Sequence, residues 1–291
     1  MTLSGVHTPI VTPFTDGGAI DFKVLEAVIE YQLENGVTGI IPGGTTGEYY
    51  AMTPDERHAL VKHTRDIVGN RAVLMAGANA TTTADVIAYC RDAEALGYEY
   101  ILLAPPYYSL PSQGELLKHF QMVADGMGLP IVLYNFPDRA GVEIGYEVLD
   151  GLADHPQYVA IKESSGDISR IPGIQERYNG RIQLVCGADD QAYDYFSAGV
   201  VSWIAGGANA APAEHVKVLE TAVAGDLPAS RTAMDALLPF VLNIEGGKYI
   251  QKVKHGLELE GISVGITRPP MMELGDEEKA SVQADLAALK G

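Results

Sequence analysis

One pattern recurs eight times along this chain of 291 residues: a short apolar run, then a longer stretch of helical periodicity, with glycine, proline or polar residues at the joints. VHTPIVTPF precedes DFKVLEAVIEYQLENG, TGIIPGG precedes TPDERHALVKHTRDIVG, RAVLMAGAN precedes TTADVIAYCRDAEALG, and YEYILLAPP precedes SQGELLKHFQMVADGMG. The series continues with LPIVLYNF and GYEVLDGLADHP, YVAIKESSG and ISRIPGIQERYNG, RIQLVCGAD and QAYDYFSAG, then VVSWIAGGANAAP and AEHVKVLETAVAGDL. Most of the short runs are continuously apolar rather than alternating, as in strands covered on both faces. Eight consecutive strand–helix units predict an α/β fold of the (β/α)8 or TIM-barrel kind over residues 1–227, rather than an open doubly wound sheet. Residues 228–291 carry further helical periodicity in RTAMDALLPFVLNI and GDEEKASVQADLAAL, and are predicted to add C-terminal helices outside the barrel.

Charge and cysteine content remove several function classes. A formal net charge of -18 repels phosphate, so neither nucleic acid nor an anionic membrane is an expected partner. The densest basic segment, KYIQKVKHG at 248–256, reads as the solvated face of a helix. No apolar run approaches the length of a membrane span, and the N-terminal MTLSGVHTPIVTPF lacks a basic region followed by a long apolar core. Cys90 and Cys186 make no disulfide framework, so a cytoplasmic protein is expected. The seven histidines show no ligand spacing, and no metal site is expected.

A barrel of this kind places its chemistry at the C-terminal ends of the strands, so those ends read as a set. They carry Thr45 and Thr46 after the second strand, Tyr107 and Tyr108 after the fourth, and Tyr134 and Arg139 at and after the fifth. Lys162 ends the sixth, and Gly187 and Asp189 follow the seventh. Lys162 is the conspicuous member, because the run YVAI is suited to the interior and ends on the side chain least suited to burial. An amine held among apolar neighbours loses hydration, which favours the neutral form. A neutral amine condenses with a ketone to give an imine, whose protonated form stabilises an adjacent carbanion. Judged by its own neighbours, Lys162 fits equally a solvated loop lysine paired with Glu163 or Asp167. Tyr134 shifts that balance, since a phenol at the next strand end moves protons without carrying a permanent charge. Arg139, in FPDRAG, offers a fork of donors to a carboxylate. A ketone bearing a carboxylate, a 2-oxo acid, fits this set.

Five segments together, PGGTTGE (42–48), PPYYSLPS (105–112), YNFPDRAG (134–141), IKESSGD (161–167) and GGANAAP (206–212), resemble the dihydrodipicolinate synthase and N-acetylneuraminate lyase family of class I aldolases. The resemblance runs in order over nearly the whole chain. It implies that Lys162 forms a Schiff base with pyruvate or a similar 2-oxo acid while Tyr134 shuttles protons. It implies that Thr45 and Thr46 contact the pyruvyl carboxylate, with Thr45 also in the relay, and that Tyr108 reaches into a neighbouring subunit's site. Gly187 and Ile204 would line the pocket around the imine, and Arg139 would take the carboxylate of an aldehyde substrate. It further implies a homotetramer built as a dimer of dimers, and no cofactor beyond the covalent imine.

Within the family, Arg139 favours the branch that joins pyruvate to aspartate semialdehyde. Three departures keep a second branch open: Asp138 where a small hydroxyl residue is usual, Tyr49 and Tyr50 directly after GGTTGE, and GGKYIQKVKHGLELEG in place of an Asn-Pro-rich segment. The alternative is an aldolase or dehydratase of 2-keto-3-deoxy sugar acids, with Asp138, Asp189 or Asp190 binding hydroxyls. A reading of another class is a non-catalytic barrel that binds oxo acids, although both Lys162 and Tyr134 are present.

Overall fold

The computed structural model describes residues 2–178 and 180–291. Eight strands, β1 (Gly5–Pro9), β2 (Gly39–Ile41), β3 (Val73–Gly77), β4 (Tyr100–Leu103), β5 (Ile131–Asn135), β6 (Tyr158–Glu163), β7 (Gln183–Cys186) and β8 (Ser202–Ile204), pair in sequence order. All neighbours are parallel, and β8 returns to β1 to close the barrel. Helices α1 (Phe22–Glu34), α2 (Pro54–Val68), α3 (Thr83–Ala95) and α4 (Gln113–Gly126) cover the first half from outside. The second half carries the short α5 (Pro137–Ala140), then α6 (Tyr146–Leu152), α7 (Arg170–Tyr178), α8 (Ala192–Ser197) and α9 (Pro212–Val223). Three more helices follow, α10 (Leu227–Glu245), α11 (Tyr249–Leu259) and α12 (Asp276–Lys290).

The period of two along each strand separates two apolar layers. Ile41, Met75, Leu102, Val132, Ala160, Val185 and Ile204 fill the barrel interior. Their neighbours Ile40, Leu74, Ile101, Ile131, Ile161, Leu184 and Trp203 pack outward against the helices. This alternation decides where the strand ends point. Tyr134 follows Val132 and Lys162 follows Ala160 on the inner face, whereas Asn135 and Glu163 face the helix layer.

Helix starts are written locally. Asp21 accepts from the amides of Lys23 and Val24 ahead of α1. Thr53 with Glu56, and Ser112 with Glu115, form reciprocal capping boxes on α2 and α4. FPDRAG forms the single turn of α5, closed by Gly141 at φ 70°, where a left-handed conformation suits glycine.

The basic segment 248–256 departs from the expected solvated face. It forms α11, in which Gln251, Lys252 and Lys254 are buried. Lys254 Nζ lies 2.7 Å from Glu48 Oε1 and donates to the Ile266 carbonyl at 2.7 Å, while Lys252 Nζ donates to the Asn243 carbonyl. For Lys254 the physical reason is the partner: the Glu48 carboxylate, wholly buried in the loop after β2, requires a counter-charge. Lys248 alone keeps the expected exposed character, pairing with Glu278 at 2.7 Å.

Candidate active site

The C-terminal ends of the strands open into a cavity of about 270 Å³. Thr45, Thr46, Tyr134, Arg139, Lys162, Gly187 and Asp189 all lie on its wall. Lys162 is 6% exposed, and its Nζ sits 4.3 Å from the centre of the Tyr134 ring, the two residues being direct partners on the β5–β6 ladder. The solvated-loop alternative fails here, because Glu163 is bonded to Arg170 at 2.7 Å and Asp167 accepts from Ser169 at 2.9 and 2.7 Å. Gly187 makes room for the lysine. A Cβ at that position would lie 2.6 Å from Lys162 Cγ and 2.2 Å from Ser164 Oγ.

Thr45 and Thr46 sit in the loop after β2, which Thr12 Oγ1 ties down by donating to the Gly47 carbonyl at 2.8 Å. Arg139 rises from α5 with its guanidinium 5.6 Å from the Phe136 ring, exposed at the rim and in no salt bridge among the described residues. Asp189 is committed to the scaffold, accepting from Trp203 Nε1 at 2.8 Å and from the Gly207 amide at 3.4 Å. Asp138 and Asp190 stay exposed.

Two sequence-named residues stand off this wall. Tyr108 is 93% exposed at φ 73° and does not line the cavity, and Leu110, two residues on, is 58% exposed at φ 50°. Ile204 is wholly buried in the barrel interior, and Gly206, two residues further on, is the wall residue after β8.

Sequence reading missed two wall residues from the C-terminal helices. Glu245 ends α10, and Tyr249 begins α11. Although the Glu245 side chain opens to the mouth, the surrounding protein withdraws enough water to raise its carboxyl to about 8, with Asp189 and Asp190 adding to the rise and Lys162 opposing it. Burial first, then Asp189 and Glu245, push the Tyr249 hydroxyl well above the usual phenol value. Gly206 is needed against that hydroxyl, since a Cβ there would lie 1.8 Å from it. The one local signal is the Gly246-Gly247 break between two helical stretches, and it does not say which way the flanking side chains point.

The sequence model of the Dihydrodipicolinate synthetase family matches residues 2–289. The chain belongs to that family. It is 34% identical over 279 residues to a 4-hydroxy-tetrahydrodipicolinate synthase of Exiguobacterium sp., covering 96% of this chain and 95% of the relative. Among solved structures, the 4-hydroxy-tetrahydrodipicolinate synthase of Methylacidiphilum fumariolicum superposes with a TM-score of 0.95 at 31% identity, covering 99% of this chain and 96% of the other. The chloride-inhibited dihydrodipicolinate synthase of Acinetobacter baumannii, solved in complex with pyruvate, superposes with a TM-score of 0.96 at 29% identity, covering 99% of each chain. As a member of the Dihydrodipicolinate synthetase family this chain is an enzyme of the lyase type, built on the barrel expected from its repeats.

Proposed function

We propose that this enzyme is a 4-hydroxy-tetrahydrodipicolinate synthase, in which Lys162 forms an imine with pyruvate and the derived enamine attacks aspartate semialdehyde. The observation that carries the reading is the pair at the cavity floor, a nearly buried amine with its Nζ 4.3 Å from the Tyr134 ring centre. The amine adds to the ketone carbon, and loss of water leaves the imine. Removing a proton from the methyl group gives the enamine, whose carbon bonds to the aldehyde carbon. The amino group of the second substrate then displaces the lysine amine, closing the ring and freeing the enzyme. Tyr134, with Thr45 in relay, moves the protons these steps require. Thr45 and Thr46 bind the pyruvyl carboxylate, Gly187 gives the imine room, and Arg139 receives the carboxylate of the aldehyde. The protonated imine is itself the electron sink, so the reaction calls for no cofactor.

The assembly proposed is a homotetramer, a dimer of dimers, with Tyr108 completing a neighbour's site. Its support is the 93% exposure of Tyr108 on a loop with two residues in left-handed conformation. Among the described residues no helix is long and apolar enough to cross a membrane. The free, buried Cys90 and Cys186 suit the reducing cytoplasm proposed for the enzyme. A second reading, a 2-keto-3-deoxy sugar-acid aldolase or dehydratase, is favoured by the acidic rim of Asp138, Asp190 and Glu245, which suits hydroxyls better than a second carboxylate.

Steady-state assays of pyruvate with aspartate semialdehyde and with neutral aldoses separate the two. Aspartate semialdehyde is expected to be the better electrophile. In Arg139→Ala its Michaelis constant is expected to rise by the equivalent of about 2–4 kcal/mol, with that for pyruvate nearly unchanged. An unchanged constant for aspartate semialdehyde overturns the synthase reading.

A further inference from the structure

Behind the Lys162–Tyr134 pair, on the opposite face of the same two strands, lies a buried polar lock. Glu163 and Asn135 are both wholly buried and are the next partners along the β5–β6 ladder after Tyr134 and Lys162. Asn135 Nδ2 donates to both Glu163 carboxylate oxygens, at 2.9 and 3.0 Å, and Asn135 Oδ1 accepts from the Ile144 amide at 2.8 Å. Arg170 Nε donates to Glu163 Oε2 at 2.7 Å, and its Nη2 donates to the Ile144 carbonyl at 2.9 Å. The Ser165 amide donates to Glu163 Oε1 at 2.8 Å. The carboxylate thus receives four hydrogen bonds, and each polar group of Asn135 has a partner.

We infer that Glu163, Asn135 and Arg170 are positioning residues that fix the separation of the Lys162 amine from Tyr134. Two observations carry this. The ladder between β5 and β6 is irregular at its start, where Ile131 pairs with Tyr158 but Val132 with Ala160, so below Tyr134 and Lys162 only the pairs Val132–Ala160 and Leu133–Ile161 hold the register that the lock continues above them. The lock also sits one residue beyond the pair it serves, about 3.3 Å along each strand, so a slide or twist at Asn135 or Glu163 passes directly to Tyr134 and Lys162. A barrel needing only stability would fill this place equally well with apolar side chains, because replacing a buried ion pair by well-packed hydrophobic residues is often neutral or stabilising.

The inference rests on the Schiff-base reading of Lys162, and its test keeps the two apart. The rate at which borohydride traps pyruvate on Lys162 is measured at saturating pyruvate, per folded molecule and well below each protein's melting temperature, for wild type and Glu163→Gln. The trapping rate is expected to fall by about ten- to a hundredfold, the order produced by small misplacements of reacting groups, while the half-saturating pyruvate concentration changes little. Should Glu163→Gln fail to fold, Asn135→Ser leaves the Glu163–Arg170 ion pair in place and carries the same readout. Variants that melt earlier but trap at the wild-type rate overturn the positioning role. A wild-type protein that takes no pyruvate at Lys162 overturns the Schiff-base reading instead.

Discussion

Tyr134 and Lys162 show how a strand position sets what a side chain can reach. Each occupies the last inward position of its strand, where the barrel interior gives way to the cavity, so each has an apolar floor and an open side toward substrate. Tyr134 is only 7% exposed, and its ring packs against Phe136 with centres 5.9 Å apart. Tyr134→Phe preserves that packing and removes only the hydroxyl. Turnover is expected to fall by about 10²- to 10⁴-fold, the usual contribution of a general acid-base group, with circular dichroism and the thermal melt unchanged. Full turnover in the variant would remove the tyrosine from the proton path. Both residues were legible from the sequence as a pair, because two polar groups ending neighbouring apolar runs meet at one barrel mouth. The wall residue after β8 was not: the resemblance pointed to Ile204, and Gly206, two residues further on, has no side chain to mark it. Asp189, one of three candidates for binding hydroxyls, lines the cavity but also accepts from Trp203 Nε1, a partner the sequence does not show.

At the scale of elements, the strands and eight of the first nine helices follow from local chemistry, short apolar runs against helical periodicity with capping boxes on α2 and α4, whereas the four-residue α5 in FPDRAG carries no periodicity of its own. α11 does not follow from local chemistry either. Its lysines have the spacing of an ordinary solvated face, but Lys254 is drawn in by Glu48, some two hundred positions earlier in the chain and invisible to any local reading, and Lys252 by the Asn243 carbonyl. Glu48 itself stands at φ 58°, and its amide donates to the Thr45 carbonyl at 3.0 Å. Its second carboxylate oxygen accepts from the Arg268 amide at 2.9 Å, so the threonine loop, α11 and the segment near Arg268 share one knot. Lys254→Met keeps most of the bulk but leaves a buried carboxylate without its cation, which costs about 3–5 kcal/mol where measured. Chemical denaturation is expected to register a loss of that order. An unchanged midpoint would mean that Glu48 finds another partner or takes up a proton.

Over the whole molecule, the closed barrel was readable because eight repeats leave few other ways to cover eight short strands on both faces. The share of the C-terminal helices in the site was not, because Glu245 and Tyr249 reach the mouth only through the packing of α10 and α11 beside the finished barrel. The molecule therefore draws its cavity from the ends of the barrel strands and from the helices appended to them, and at the centre of both sets stands Lys162. Incubation of the protein with pyruvate and borohydride, followed by intact-mass measurement and peptide mapping, tests that centre most directly. The account predicts one reduced pyruvyl group per chain, located on Lys162. No adduct, or an adduct on any other lysine, would contradict it.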